Sequence, residues 1–218
     1  MILHPSPNFG PRRDGLRPEL VVLHYTEMAG PKAALERLCN PESEVSAHYL
    51  IGADGRIWHL VDETMRAWHA GAGRWRGHGD VNSRSIGIEL DNDGASPFAA
   101  AQMRALEHLL PAIMTRWNIP RDGVIAHSDM APERKVDPGA RFDWLRLARQ
   151  GLSIWPAPGG DEQAPLGATL DAIGYPPAAP DRRLAAFRLR FRPGAQGPED
   201  ATDRALADAL AQRHWIAG

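Results

Sequence analysis

Apolar and polar positions along this chain fall into two rhythms, one for strands and one for helices. Residues 20–25, Leu-Val-Val-Leu-His-Tyr, form an unbroken apolar run with Pro18 before it and Gly30-Pro31 after it. A run of that length between breakers predicts a strand buried on both faces, with His24 at its C-terminal end. A short helix over about residues 32–39 is expected next. Residues 48–51 and 56–61 flank Ala53-Asp54-Gly55, and two β-rich runs around an Asp-Gly signal predict a hairpin. Residues 85–90, Ser-Ile-Gly-Ile-Glu-Leu, repeat the buried-strand pattern and carry Glu89 near its end. A long helix is predicted over 97–117, with Ser96 as N-cap, Pro97 at the first helical position and a kink at Pro111. Its apolar stripe is Met103, Leu106, Leu109, Leu110, Ile113 and Met114. Residues 123–127 predict a short strand ending in His127, and a helix over 142–150 is stopped by Gly151. Strands and helices alternate without a strict βαβ rhythm, which predicts an α/β (α+β) fold: a mixed central β-sheet flanked by helices.

The pattern changes after residue 156. Pro156-Ala157-Pro158-Gly159-Gly160 and the pair Asp161-Glu162 read as a linker. Three short helical patterns follow, around 166–173, 181–191 and 202–213, with Leu184, Phe187 and Phe191, then Leu206, Ala209 and Leu210, at helical spacing. The expected organisation is a domain over 1–156, a linker over 157–165 and a small three-helix module over 166–218.

Composition narrows the function classes. A net charge of -2 gives no electrostatic case for nucleic acid or an anionic membrane as partner. No window approaches the roughly 20 apolar residues of a membrane span, and the opening residues lack a signal-peptide run, so a cytoplasmic protein is expected, or a periplasmic one if a leader has been removed. The single cysteine, Cys39, excludes an internal disulfide and a multi-cysteine zinc site, so a metal would need His and carboxylate ligands. Cys39 itself reads as a small buried hydrophobe. Lys32 and Lys135 are the only lysines, which makes Lys135, in a turn-rich segment between His127 and Asp137, worth noting.

Three strand ends or loops deliver His24, His127 and Asp137, a set of the number and type that catalytic zinc takes. Taken singly, each of the nine histidines has the ordinary reading of a packed core or surface residue. His24 and His127 stand out because both end buried strands, which would hold them rigidly at one sheet edge. Residues 67–82, rich in Gly and Trp, read as a functional loop over a cleft.

The segments VVLHYT, SAHYLI, AWHAG, SIGIEL and AHSDMAPERKVDPG, in this order and spacing, resemble the type-2 N-acetylmuramoyl-L-alanine amidases, the zinc peptidoglycan amidases that include the AmpD and AmiD enzymes. HPSPNFGPR at the start is similar to the AmiD branch. The likeness covers residues 2 to 156. It implies one catalytic zinc on His24, His127 and Asp137, with Glu89 as the base that takes a proton from the attacking water and returns it to the leaving amine. Lys135 would stabilise the oxyanion. Tyr49 and His69 are implied as substrate contacts, and Trp68 and Trp75 could stack on sugar faces or anchor their own loop; His48, His59, His78 and His108 read as structural or surface residues. The implied reaction cleaves the amide between N-acetylmuramic acid, including its 1,6-anhydro form, and L-alanine of the stem peptide. Muropeptides are the implied partners, and cell-wall recycling or turnover the implied role.

The C-terminal segment resembles the three-helix peptidoglycan-binding domain through IGYP, LAAFRLRFRP and GPEDATDRALADAL. Arg182, Arg183, Arg188, Arg190 and Arg192 would then make a basic helix facing either solvent or anionic wall polymer. Two other readings stand beside the amidase: a non-catalytic peptidoglycan-recognition protein of the same superfamily, and a two-His-one-carboxylate iron enzyme. Retention of every ligand together with Glu89 and Lys135 argues against the first. The distance of about 100 residues between the histidines argues against the second, whose ligands usually cluster in sequence.

Overall fold

A computed structural model describes residues 1–218. Its strands are β1 (Ile2–Leu3), β2 (Phe9–Pro11), β3 (Leu20–Tyr25), β4 (Tyr49–Ile51), β5 (Ile57–His59), β6 (Met65–Ala67), β7 (Ser85–Leu90) and β8 (Val124–Ala126). Its helices are α1 (Pro31–Cys39), α2 (Val81–Arg84), α3 (Ala100–Trp117), α4 (His127–Met130), α5 (Trp144–Ala148), α6 (Leu166–Ile173), α7 (Pro180–Phe191) and α8 (Ala201–Ala211).

Six strands form one sheet in the order β1-β5-β4-β7-β3-β8, while β2 and β6 make a separate antiparallel pair. β3 and β7 lie side by side in parallel near the centre, with β4 and β8 parallel on either flank. The continuous apolar run of β3 suits a strand covered on both faces. The expected hairpin is the antiparallel β4–β5 pair.

Side chains alternate between the two faces. Val21, Leu23, Ile86, Ile88, Leu90, Val124 and Ala126 point into a core closed by Met103, Leu106, Leu110 and Ile113 of α3. Leu20, Val22 and Ile125 point the other way, into a second core.

Two helix boundaries differ from the sequence reading. α3 begins at Ala100 rather than residue 97 because Ser96 is held in a local turn: its N–H and hydroxyl both donate to Asp93, which leaves no cap for the helix. The helix is unbroken across Pro111, which is exposed, so the bond that proline cannot donate is lost on the solvent side. α5 is shorter than 142–150 because Phe142 is drawn into the first core and Asp143 caps at Arg146 N–H.

The C-terminal helices form within one or two residues of expectation, but they share their core with the sheet. Leu166, Leu170, Ile173, Phe187, Phe191 and Leu210 belong to the same buried cluster as Leu20, Val22, Ile125, Trp75 and Met130. Residues 166–218 thus complete the second face of the sheet. The basic helix is largely neutralised within the protein: Arg183 pairs with Asp171, Arg188 with Asp203, Arg190 with Asp129, and Arg192 with Asp200 and Asp203. Arg182 alone of the five projects into solvent beside Asp181. The expected face for an anionic polymer is therefore spent on internal pairs.

A buried carboxylate fastens α3 to the segment after β5. Glu63 accepts from Tyr49 Oη at 2.6 Å, from Arg116 Nη2 at 2.6 Å and Nε at 3.0 Å, and from Trp117 Nε1 at 2.6 Å. Burial alone would raise its pKa, but these donors together hold it below the ordinary glutamate value near 4.5. A depressed carboxylate stabilises the fold above its unfolded value and loses that contribution as pH falls through the folded one. Urea unfolding between about pH 7 and pH 3 should show stability falling below pH 4.5 in the wild type. Glu63→Gln should be less stable at neutral pH, with a flatter acid slope; an unchanged slope would exclude Glu63 as its source.

Candidate active site

Three parallel strands carry the chemistry to one end and one face of the sheet. Pairing of β3 with β7 sets His24 directly opposite Glu89. Pairing of β3 with β8 sets Leu23 opposite Ala126, so His127, the next residue, leaves the sheet beside His24. On β7, Ile86, Ile88 and Leu90 face α3, and period 2 therefore turns Ser85, Gly87 and Glu89 to the other side, with His24. The segment after β8 folds back through α4, where Ser128 N–H donates to the Asp137 carbonyl at 3.0 Å and brings Asp137 to both histidines.

His24 Nδ1, His127 Nδ1 and Asp137 Oδ2 form a triangle with edges of 2.9, 3.0 and 2.9 Å. All three residues are buried. The outward-facing nitrogens assign the tautomers. His127 Nε2 donates to the Ala70 carbonyl at 3.0 Å, which leaves a lone pair on Nδ1. His24 Nε2 lies 3.0 Å from His69 Nδ1, and His69 Nε2 lies 3.2 Å from Ser85 Oγ, which donates to the Val81 carbonyl at 2.6 Å. Protons run one way along this chain, from His24 to His69 to Ser85 to Val81, and His24 Nδ1 is again left with a lone pair. Three acceptors then converge on one point, an arrangement that a cation completes. Two imidazoles and a carboxylate, with outer hydrogen bonds orienting them, fit a catalytic metal site with a further position open to the cleft. Burial and the neighbouring His127 push the His24 pKa down to about 4, the Asp137 contact opposing them, so His24 is neutral and able to ligate at neutral pH.

His69 is held as firmly as the ligands. Its N–H and that of Ala70 both donate to Asn82 Oδ1, at 3.0 and 2.8 Å. Its ring lies against Gly87, where a Cβ would overlap it, so the glycine in the strand is the space the histidine occupies. Arg12 ties down the turn behind, donating to the carbonyls of Asn82, Ser83 and Ser85 at 3.2, 2.9 and 3.1 Å.

The cleft in front of the triangle has a volume of about 310 Å³, and Glu89, Lys135, Trp68, Thr26 and Arg134 contribute to its walls. Glu89 Oε2 and Thr26 Oγ1 are buried polar atoms with no hydrogen-bond partner, an unfavourable state that a bound molecule would relieve. Burial, then the nearby Asp137 charge, raises the Glu89 pKa well above the ordinary value, with Lys135 opposing. A carboxyl facing the cleft can take a proton from one group and return it to another.

Of the residues singled out in the sequence, His24, His69, Glu89, His127, Lys135, Asp137 and Trp68 meet at this cleft. Tyr49 does not. It pairs opposite Ile88 and faces the α3 side of the sheet, where its hydroxyl donates to Glu63. Trp75 is also elsewhere: it is 2% exposed and packs edge-on against Tyr175 in the second core, 5.3 Å between ring centroids. His48 is buried and accepts from Gly87 N–H at 2.9 Å, in line with the structural role expected of it. Cys39 is half-buried rather than buried. The sequence assigns no role to Thr26 and Arg134, which lie inside HYT and ERKVD and also line the cleft. Arg134 Nε donates to the Ala72 carbonyl at 2.7 Å and pins the glycine-rich loop over the site.

Comparison with known proteins gives a consistent picture. Residues 14–140 match the family model described as N-acetylmuramoyl-L-alanine amidase. The chain is 36% identical to the N-acetylmuramoyl-L-alanine amidase AmiD of Escherichia coli, over 91% of this chain and 84% of that protein. It is 35% identical to the 1,6-anhydro-N-acetylmuramyl-L-alanine amidase AmpD of Haemophilus influenzae, over 65% of this chain and 86% of that one. Among solved structures, the E. coli AmiD complex with the substrate anhydro-N-acetylmuramic acid-L-Ala-D-gamma-Glu-L-Lys superposes with a TM-score of 0.81 at 34% identity, covering 93% of this chain and 92% of that one.

The space at Gly87 offers a direct test of the histidine chain. Gly87→Ala should displace His69 and weaken metal binding by about tenfold or more, the usual cost of losing an outer hydrogen-bond partner. Competition with a chromophoric chelator measures this; wild-type affinity in the variant would show that His69 does not orient His24.

Proposed function

This chain belongs to the N-acetylmuramoyl-L-alanine amidase family, and we propose that it works as a zinc hydrolase in which His24, His127 and Asp137 hold the metal and Glu89 is the general base. The reaction is hydrolysis of the amide between N-acetylmuramic acid, including its 1,6-anhydro form, and L-alanine of the stem peptide. Its substrates are muropeptides and related peptidoglycan fragments, in cell-wall recycling or turnover. No helix of the protein is long and apolar enough to cross a membrane.

The observation that carries the mechanism is the register of β3 and β7, which sets Glu89 opposite His24 with Oε2 unpartnered and buried. Zinc bound there would polarise the amide carbonyl and acidify water. Glu89 accepts a proton from the attacking water at Oε2 and later delivers it to the departing L-alanine amine. Lys135, two residues before Asp137 and in the wall of the same cleft, places its ammonium to stabilise negative charge developing on the carbonyl oxygen. Trp68 offers an aromatic face beside the cleft, suited to a sugar ring. His69 acts from behind, by fixing the orientation of His24.

Mass spectrometry of products from anhydro-muropeptide and from intact sacculi tests this assignment and reports the preferred substrate. Chelation should abolish product and added zinc should restore it. Glu89→Ala should lose about 10²–10⁴-fold in turnover while keeping its zinc. Full turnover by Glu89→Ala would remove it from the mechanism, and binding without turnover in added zinc would favour a recognition protein. Lys135→Ala should lower kcat by about 10²–10³-fold. Fractionation of cells expressing the full reading frame reports the compartment, a periplasmic signal overturning the cytoplasmic expectation.

A further inference from the structure

The C-terminal helices carry buried charge that the chemistry of the cleft does not use. Arg190, on α7, is 2% exposed, and its partner Asp129, on α4, is 0% exposed. Arg190 Nη1 donates to Asp129 Oδ2, and Nη2 donates to the Val124 carbonyl of β8 at 2.8 Å and to Ser153 Oγ at 3.2 Å. The guanidinium also lies over the Trp144 ring, 4.4 Å from its centroid. The Tyr175 hydroxyl, between α6 and α7, donates to Asp129 Oδ1 at 2.7 Å.

Asp129 uses these contacts to hold a turn. Its Oδ2 accepts from Ala126 N–H at 2.9 Å. Ala126 is the last residue of β8 and His127 the first of α4, so this bond spans the place where His127 leaves the sheet. An ionised carboxylate buried here is unfavourable unless it is paired, and both of its charged or hydroxyl partners, Arg190 and Tyr175, come from the C-terminal segment.

We propose that Arg190 and Tyr175 are positioning residues for His127: through Asp129, the C-terminal helices fix the β8–α4 turn and with it one corner of the metal site. The inference rests on the reading of His127 as a metal ligand. It gives residues 166–218 a role in the hydrolytic site itself, distinct from the wall-binding role that their sequence suggests.

The protein contains its own control. Arg188 and Asp203 form a second buried ion pair, 6% and 0% exposed. Arg188 also donates to the carbonyls of Gly197 and Pro198, so its partners lie within the C-terminal residues. Arg188→Met and Arg190→Met therefore make the same chemical change, away from the β8–α4 turn and at it.

Both variants and Tyr175→Phe are compared with wild type in the full chain. The measurements are zinc affinity by chelator competition, and amide hydrogen exchange across residues 126–130 in metal-free protein. Arg190→Met should bind zinc about tenfold or more weakly, with faster exchange at Ala126. Arg188→Met should lower the Tm and leave both quantities unchanged. Tyr175→Phe should shift both in the same direction as Arg190→Met by a smaller factor, and it decides the matter if Arg190→Met does not fold. Wild-type zinc affinity in both Arg190→Met and Tyr175→Phe would overturn the proposal. Equal losses in Arg190→Met and Arg188→Met would also overturn it, by assigning the effect to general packing. A wild-type protein that binds no zinc would instead overturn the reading of His127 as a ligand.

Discussion

The parallel pairing of β3 with β7 is the constraint on which the rest of the molecule depends. It sets His24 opposite Glu89, and apolar side chains hold the pair: Val21 and Leu23 of β3 with Ile86, Ile88 and Leu90 of β7 in the α3 core, and Leu20 and Val22 of β3 in the C-terminal core. A one-residue slip would turn Ser85 and Glu89 of β7, or His24 of β3, into the apolar α3 core, so the hydrophobic effect enforces the alignment of ligand and base. The site is rigid because the core beneath it is rigid.

Around that alignment the polar groups fall into two kinds. Several behind the site are satisfied: His24, His69 and Ser85 form a continuous chain, Asn82 Oδ1 accepts twice, and His127 donates to Ala70. Facing the cleft, Glu89 Oε2 and Thr26 Oγ1 are not. In a low-dielectric interior a satisfied network holds its members in place and an unsatisfied atom is costly. A molecule bound in the cleft would supply the bonds that Glu89 and Thr26 lack.

The C-terminal helices extend the same logic across the sheet. Their apolar residues complete a core that begins on β3 and β8, and their arginines are consumed by internal carboxylates.

Much of the site could be read along the chain. His24, Glu89 and His127 lie at the ends of segments with a buried-strand pattern, and Lys135 and Asp137 lie in one turn-rich segment with His127. What the chain alone could not convey was which face a residue would join. Tyr49 sits next to buried His48, yet its pairing with Ile88 turns it to the α3 core. Trp75, in a loop rich in glycine, became a core residue once Tyr175 of the C-terminal segment packed against it. Arg188 and Arg190 look solvated in a helical pattern, and only the approach of Asp203 and Asp129 made their burial possible. Local sequence determines where strands end and which groups are available there, because periodicity and breakers act over a few residues. Face, partner and protonation depend on atoms brought from distant segments, and tertiary structure decided those.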